Sequence, residues 1–271
     1  MSIFFMTAQD IFLPYGVVSG LIFFMTIWKK WAEACGELIF PRRCSCCRVD
    51  LPSKGQVICG RCLDTVRYLH SPLCSCCGRG LPDSGGGDHL CGFCLRQPPV
   101  YSRARAAVHY EDPVSHLLHQ LKYAADTSTL PALAQIMEPL VRELAQEFQP
   151  AGDRVIPVPL FPARLKKRGL NQSLLLARIF FPQAGEALLV DTLMRKRDTL
   201  PQTTLNGEAR RKNLKAAFAV RNPAAVRGRR IFLVDDVLTT GTTVSECSRA
   251  LLAAAAAEVC VLTVARVADY R

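Results

Sequence analysis

The pattern of apolar and polar positions after residue 100 alternates between short apolar runs and longer helical repeats. Apolar runs of strand length occur at residues 105–110, 154–158 and 259–265, with another beginning at residue 231. Between them, helical spacing of apolar residues predicts helices over residues 113–123, 130–148, 171–180 and 243–256. Strands that alternate with helices favour a parallel sheet covered on both faces, so the predicted fold class is α/β.

The region before this α/β pattern is dominated by cysteine. Eleven of the 13 cysteines lie between Cys35 and Cys94, and eight of them form four C-x-x-C pairs. The triplet "CSCC" occurs twice, 30 residues apart, which indicates a duplicated unit. Two C-x-x-C turns supply the four thiolates of a tetrahedral zinc site, so residues 41–98 are predicted to form a small domain with two structural zinc ions.

The spacing leaves the zinc connectivity open. In the simplest arrangement, consecutive pairs share a metal, with Cys44, Cys47, Cys59 and Cys62 on one zinc and Cys74, Cys77, Cys91 and Cys94 on the other. A cross-braced arrangement has the same spacings. Cys46 and Cys76 are spare in both, and His70 or His89 could replace a thiolate. A disulfide framework is disfavoured because nothing convincing marks the chain as secreted.

The first 40 residues form an apolar leader. Residues 11–28 carry no charge and are followed by Lys29 and Lys30. One interpretation is a membrane anchor, which by its basic flank would place the protein on the cytoplasmic side of the inner membrane. The alternatives are a start codon placed too early, with Met25 as the true start, and an apolar helix packed on the body.

The positive charge of the chain is concentrated in one region. The formal net charge is +11, and residues 153–230 contain 17 Lys or Arg against 5 Asp or Glu. A basic surface of this kind favours polyanionic partners such as phosphates, pyrophosphate or nucleic acid.

A pair of carboxylates and a threonine-rich turn follow the predicted strand at residue 231. Asp235 and Asp236 stand where ligands bind in open α/β sheets, at the carboxyl end of the strand. Five residues then lead into a helix, where backbone N–H groups can hold a phosphate: Thr239, Thr240, Gly241, Thr242 and Thr243. A ribose 5-phosphate suits both parts, with its phosphate on the turn and its hydroxyls on the carboxylates.

The motif "FLVDDVLTTGTT" resembles the phosphoribosyl pyrophosphate motif of type I phosphoribosyltransferases. Residues 155–177, residues 195–218, the segment "HQLKY" (residues 119–123) and the paired cysteines further resemble the ComF family, including its GntX-like members. The resemblance begins near Trp31 and implies a type I phosphoribosyltransferase-like domain over residues 99–271.

The resemblance also implies roles for individual residues. Asp235 and Asp236 would be the catalytic, ribose-binding pair, with Val234 and the Thr239–Thr243 turn in the same cofactor-binding segment. The strand at residue 155 would lead into a pyrophosphate-binding turn with Arg164, Lys166, Lys167 and Arg168, completed by Asn171 and Gln172. A mobile flap would contain Arg197, Gln202, Arg210, Arg211 and Asn213.

The family also implies two functions. One is phosphoribosyl transfer from phosphoribosyl pyrophosphate with Mg²⁺ to an acceptor that the sequence does not identify. The other is binding of single-stranded DNA by a non-catalytic competence protein that works with the DNA-uptake machinery. A redox sensor that uses the spare thiols is a third, weaker interpretation.

Overall fold

A four-stranded parallel sheet with strand order β1-β6-β5-β2 forms the centre of the larger domain in a computed structural model, which describes residues 42–52, 55–82, 86–198 and 216–268. Its elements in chain order are α1 (Gly60–Asp64), α2 (Gly92–Arg96), β1 (Arg103–His109), α3 (Val114–Tyr123), α4 (Leu130–Glu147), β2 (Asp153–Pro157), α5 (Pro162–Arg168), α6 (Gln172–Phe180), β3 (Leu193–Arg195), β4 (Phe218–Val220), β5 (Arg230–Leu238), α7 (Thr242–Ala253) and β6 (Glu258–Arg266).

Alternate residues of the central strands enter two separate cores. Phe232 and Val234 of β5 pack with α3, α4 and α6 on one face, whereas Ile231 and Leu233 pack with α7 on the other. Side chains of a strand point alternately to its two faces, so both faces of β5 and β6 must be apolar when both are covered. The near-continuous apolar runs in these strands therefore reflect burial on two sides, and the predicted α/β parallel-sheet class is confirmed.

The long predicted helices and strands occur close to their expected positions. Two features differ. The basic segment predicted as a turn forms the short helix α5, which Gly169 ends with a left-handed φ of 77°. Leu193–Arg195 and Phe218–Val220 also pair as a two-stranded antiparallel sheet, β3 with β4, which the apolar pattern did not indicate.

The cysteine-rich segment packs along the open edge of β1. Ala104 donates its backbone N–H to the Cys76 carbonyl at 2.6 Å, and Leu69 donates to the Ala107 carbonyl at 3.1 Å. The Arg266 guanidinium on β6 donates to the Cys77 carbonyl at 2.7 Å. An unpaired strand edge invites association with other chains, so the cysteine-rich segment completes the sheet by covering this edge.

The apolar leader lies outside the described residues. Among the residues that are described, no helix has both the length and the apolar character needed to cross a bilayer.

The contact between the two regions depends on Gly78. Its φ is 67°, and a Cβ atom there would lie 2.4 Å from the Ala104 carbonyl oxygen. Gly78→Ala should therefore lower the free energy of unfolding by more than the ~1 kcal/mol cost of a left-handed alanine alone. Thermal and urea unfolding measure the effect. Gly228→Ala is the matched control, because Gly228 has the same φ of 67° with nothing within 4 Å of the added Cβ. Equal losses in both variants would contradict the predicted close contact.

Candidate functional site

Eight cysteines converge into two groups of four. The Sγ atoms of Cys44, Cys47, Cys59 and Cys62 lie within 4.8 Å of one another, and so do those of Cys74, Cys77, Cys91 and Cys94. The grouping is sequential, so the cross-braced alternative is wrong. Neither group includes His70 or His89. Every described cysteine is free of disulfide bonds. The chain thus has two four-cysteine zinc sites.

Backbone N–H groups around each site favour the thiolate form that zinc requires. The Cys44 sulfur accepts from the Cys59 amide at 3.3 Å, and the Cys74 sulfur accepts from the Cys77 and Cys91 amides at 3.4 and 3.3 Å. Burial alone would raise the pKa of Cys44 and Cys74, but these hydrogen bonds lower it to about 6. Such second-shell donors are typical of structural metal sites, so the donor set fits Zn²⁺.

The spare thiols have a different environment. Burial raises the pKa of Cys46 to about 12 and also raises the pKa of Cys76. The Cys76 sulfur lies 3.9 Å from the Tyr101 carbonyl oxygen. A raised pKa disfavours the reactive thiolate, so these thiols do not have the environment of a redox sensor.

A separate cavity of about 240 Å³ lies where β2 and β5 end. Both strands run in the same direction, with Pro157 opposite Val234, so the loops that follow them meet at one edge of the sheet. The polar and charged side chains that line the cavity come from six helices and strands and from the loop before α7: Lys122, Tyr123, Arg164, Arg168, Gln172, Ser173, Arg195, Asp235, Asp236, Thr239, Thr242 and Thr243.

The two acids of the cavity are held by different contacts. Asp235 accepts from the Ser173 hydroxyl at 3.0 Å and from the Asp236 amide at 2.9 Å. Asp236 forms an ion pair with Lys122, whose Nζ lies 3.0 Å from Oδ2. Burial, reinforced by the adjacent Asp236 charge, raises the pKa of Asp235 to about 7. A raised carboxyl pKa in a cleft is a common property of functional sites.

The threonine-rich turn forms the second wall of the cavity. Gly241 has a left-handed φ of 72° and caps the N-terminus of α7. A Cβ at Gly241 would lie 3.5 Å from the Tyr101 hydroxyl, so the turn is packed closely from behind. The hydroxyl groups of Thr240 and Thr242 form a hydrogen bond with each other at 2.8 Å. Backbone N–H groups at the start of a helix and the positive end of the helix dipole make such a turn suited to phosphate.

Three arginines also line the cavity. Arg164 pairs with Asp198 at 3.0 Å, and Arg168 donates to the Gln172 side chain at 3.3 Å while its guanidinium lies 5.6 Å from the Tyr123 ring centre. Arg195 enters from β3 and is almost completely buried. Burial and the nearby Arg164 charge lower its pKa. Buried cations beside a polar cavity suit a multiply charged anion.

The structure brings together most of the residues predicted as ligand-binding. Asp235, Asp236, Arg164, Arg168 and Gln172 line the cavity, as do all residues of the threonine-rich turn except Thr240. Val234 is fully buried in the apolar core. Asn171 caps α6 through the Ser173 amide at 3.1 Å and donates to the Val158 carbonyl at 3.3 Å. Gln202, Arg210, Arg211 and Asn213 lie outside the described residues.

Four of the polar or charged residues that line the cavity were not predicted as site residues. Lys122 and Tyr123 belong to "HQLKY", which was noted only for its resemblance to the family, and Ser173 follows the predicted Asn171–Gln172 pair. Arg195 begins the basic segment that resembles the family. The one indication for these residues was that they lie in or beside segments that resemble the family. No local sequence pattern indicated a role for them.

Comparison with known proteins gives two family matches. Residues 35–95 match a double zinc ribbon domain, and residues 138–271 match a phosphoribosyl transferase domain. The DNA utilization protein YhgH of Salmonella typhi is 37% identical over 223 residues, covering 82% of this chain and 96% of the relative. Competence protein F of Haemophilus influenzae is 32% identical, and the match covers 78% of this chain and 91% of the relative. Competence protein ComFC of Bacillus subtilis is 26% identical, and the match covers 72% of this chain and 78% of the relative.

Asp235 should make the free energy of unfolding depend on pH. Its pKa is higher in the folded chain, about 7 against 3.8, so its contribution to stability falls as the pH rises through that window. Asp235→Asn removes the ionisable group, and its stabilising effect should be larger at pH 8 than at pH 5.5 by about 2 kcal/mol. Urea unfolding at both pH values measures the difference.

The exposed Asp191 provides the control for this experiment. Asp191→Asn should give no difference between the two pH values. An Asp235→Asn variant whose effect is the same at pH 5.5 and pH 8 would contradict the raised pKa.

Proposed function

This chain belongs to the ComF family, and from that membership we propose that it binds phosphoribosyl pyrophosphate together with Mg²⁺ and acts in DNA uptake or utilisation. The observation that carries the proposal is one cavity lined by the acidic pair, the turn before α7 and three arginines. Each part matches one part of the ligand in charge and hydrogen-bonding character.

The ligand would be divided among the three walls of the cavity. The 5-phosphate would bind the N–H groups and hydroxyls between Thr239 and Thr243, and the ribose hydroxyls would donate to a carboxylate of the acidic pair. The pyrophosphate would meet Arg164, Arg168 and Arg195, whose guanidinium groups suit bidentate contacts with phosphate oxygens. Such a division explains why two carboxylates and several cations occupy one small cavity.

The donor set also fits Mg²⁺ bound together with the ligand. Magnesium prefers oxygen ligands and is usually held by one or two carboxylates together with substrate phosphates. Asp235 and the ligand's own oxygens supply such atoms. When bound, Mg²⁺ would neutralise charge on the pyrophosphate.

We propose further that the chain transfers the phosphoribosyl group to an acceptor. The bond between the anomeric carbon and the pyrophosphate oxygen would break, its electron pair would leave with pyrophosphate, and a bond from the acceptor nucleophile to that carbon would form. The arginines would stabilise the leaving group, and the carboxylates would stabilise positive charge that develops on the ribose. Burial of the site would limit the access of water.

Single-stranded DNA is the second candidate ligand, favoured by the names of the relatives, a DNA utilization protein and two competence proteins, and by the cations of α5. Lys166 and Lys167 on α5 are exposed and do not line the cavity, whereas Arg164 and Arg168 do. The exposed pair could therefore contact a nucleic acid backbone without entering the phosphoribosyl pyrophosphate site. Such contacts depend strongly on salt.

Isothermal titration calorimetry with phosphoribosyl pyrophosphate and Mg²⁺ tests the main proposal. We expect binding to the wild-type chain and at least a tenfold loss, about 1.4 kcal/mol, in Asp235→Asn/Asp236→Asn, because the ribose hydroxyls lose their charged acceptors. Asp64→Asn is the control, since Asp64 is exposed on α1 in the first zinc ribbon. A wild-type chain that does not bind at millimolar ligand would refute the proposal.

Fluorescence anisotropy with a single-stranded oligonucleotide over a salt series tests the second candidate. The logarithm of the binding constant should fall steeply with the logarithm of salt concentration. Lys166→Ala/Lys167→Ala should reduce that slope by about 1.4 for two lost phosphate contacts. The same variant should keep its affinity for phosphoribosyl pyrophosphate. Weak binding with no salt dependence would exclude this candidate.

A further inference from the structure

Lys122 brings a positive charge into direct contact with the acidic pair. It stands in the last turn of α3, one turn after Leu118, so it shares the face that Leu118 buries against the core. Its Nζ lies 3.0 Å from Oδ2 of Asp236, and its side chain is 30% exposed. The apolar face of α3 thus directs the lysine toward the cavity edge, where it meets a carboxylate rather than solvent.

Asp236 is almost completely enclosed by its contacts. Its side chain is 7% exposed. Oδ2 accepts the ion pair from Lys122, and Oδ1 accepts the Val237 amide at 3.0 Å. Burial by itself would lower the pKa of Lys122, but the Asp236 charge and hydrogen bond raise it, which favours the charged form of the lysine. Both oxygens of Asp236 therefore have a protein partner.

Asp235 has the opposite arrangement. It is partly exposed and lines the cavity. In the part of the chain that the structure describes, the hydrogen bonds from the Ser173 hydroxyl and the Asp236 amide both fall on Oδ1. A carboxylate oxygen accepts more than one hydrogen bond, and Oδ2 is the atom left for a ligand. The two neighbouring acids thus differ in their protein contacts.

We propose that Lys122 is a positioning residue for ribose-phosphate binding: it engages Asp236 in an internal ion pair and leaves Asp235 as the carboxylate that meets the ligand hydroxyls. This inference rests on the proposed function and deepens it by assigning different roles to the two acids. Lys122 acts through Asp236 and does not contact the ligand itself.

The proposal follows from the cost of an unpaired buried charge. Without Lys122, two adjacent carboxylates would stand side by side with no cation on the buried Asp236, and repulsion would disturb Asp235. Removing one partner of a buried pair is much more costly than removing both. A neutral residue at position 122 should therefore impair ligand binding, and a neutral residue at position 236 should restore it.

Calorimetry with phosphoribosyl pyrophosphate and Mg²⁺ on a set of variants tests this. We expect Lys122→Met to weaken binding at least tenfold, Lys122→Arg to stay within about threefold of the wild type, and Lys122→Met/Asp236→Asn to recover to within about fivefold. Lys196→Met is the matched control: Lys196 is exposed, follows the cavity residue Arg195 and does not line the cavity. It should bind as the wild type does.

The outcomes separate this inference from the function on which it rests. If the wild type binds and Lys122→Met binds equally well, or if the double variant stays as weak as Lys122→Met, the division of roles is overturned and the function stands. If the wild type does not bind, both are overturned. The recovery of the double variant also excludes misfolding as the cause of the loss, because a merely unfolded chain would not regain affinity through a second substitution.

Discussion

The parallel pairing of β2 with β5 is the constraint on which the candidate site depends. The register places Pro157 beside Val234, so both chains leave the sheet at the same edge and at the same level. The loop after β2 leads to the arginines of α5, and the end of β5 supplies the acidic pair and the threonine-rich turn. A one-residue slip would turn Asp235 and Asp236 to the opposite faces of the sheet, and the continuous apolar cores on both faces oppose such a slip.

The zinc ribbons support this arrangement from the far side of the sheet. They cover the edge of β1, which pairs with β6, which in turn pairs with β5. A segment of this size has too small an apolar core to fold alone, and the two four-cysteine sites supply the missing stability. The metal sites therefore have a structural role.

Sequence reasoning recovers the features that are encoded locally. The periodic segments that became α3, α4 and α7 were predicted to within a few residues, and the acidic pair with its threonine-rich turn was placed at the carboxyl end of a strand. The zinc connectivity was left open because both arrangements have the same spacings. Asn171 was interpreted as a ligand-binding residue, and it caps a helix, a role that its position directly before an apolar helix also fits.

Residues whose role comes from distant partners could not be identified in this way. A lysine at the end of a helix is most often a solvated cation, and only the folded chain brings Lys122, 114 positions earlier, to Asp236. The sequence did not indicate that Arg195 is buried, because β3 is only three residues long and pairs with a strand that begins more than 20 residues later.

The most direct measurement is a crystal structure of the chain with phosphoribosyl pyrophosphate and Mg²⁺. The ring hydroxyls should lie about 3 Å from Asp235, with the 5-phosphate at the turn before α7. A ligand bound elsewhere, with the cavity filled only by water, would contradict the central claim.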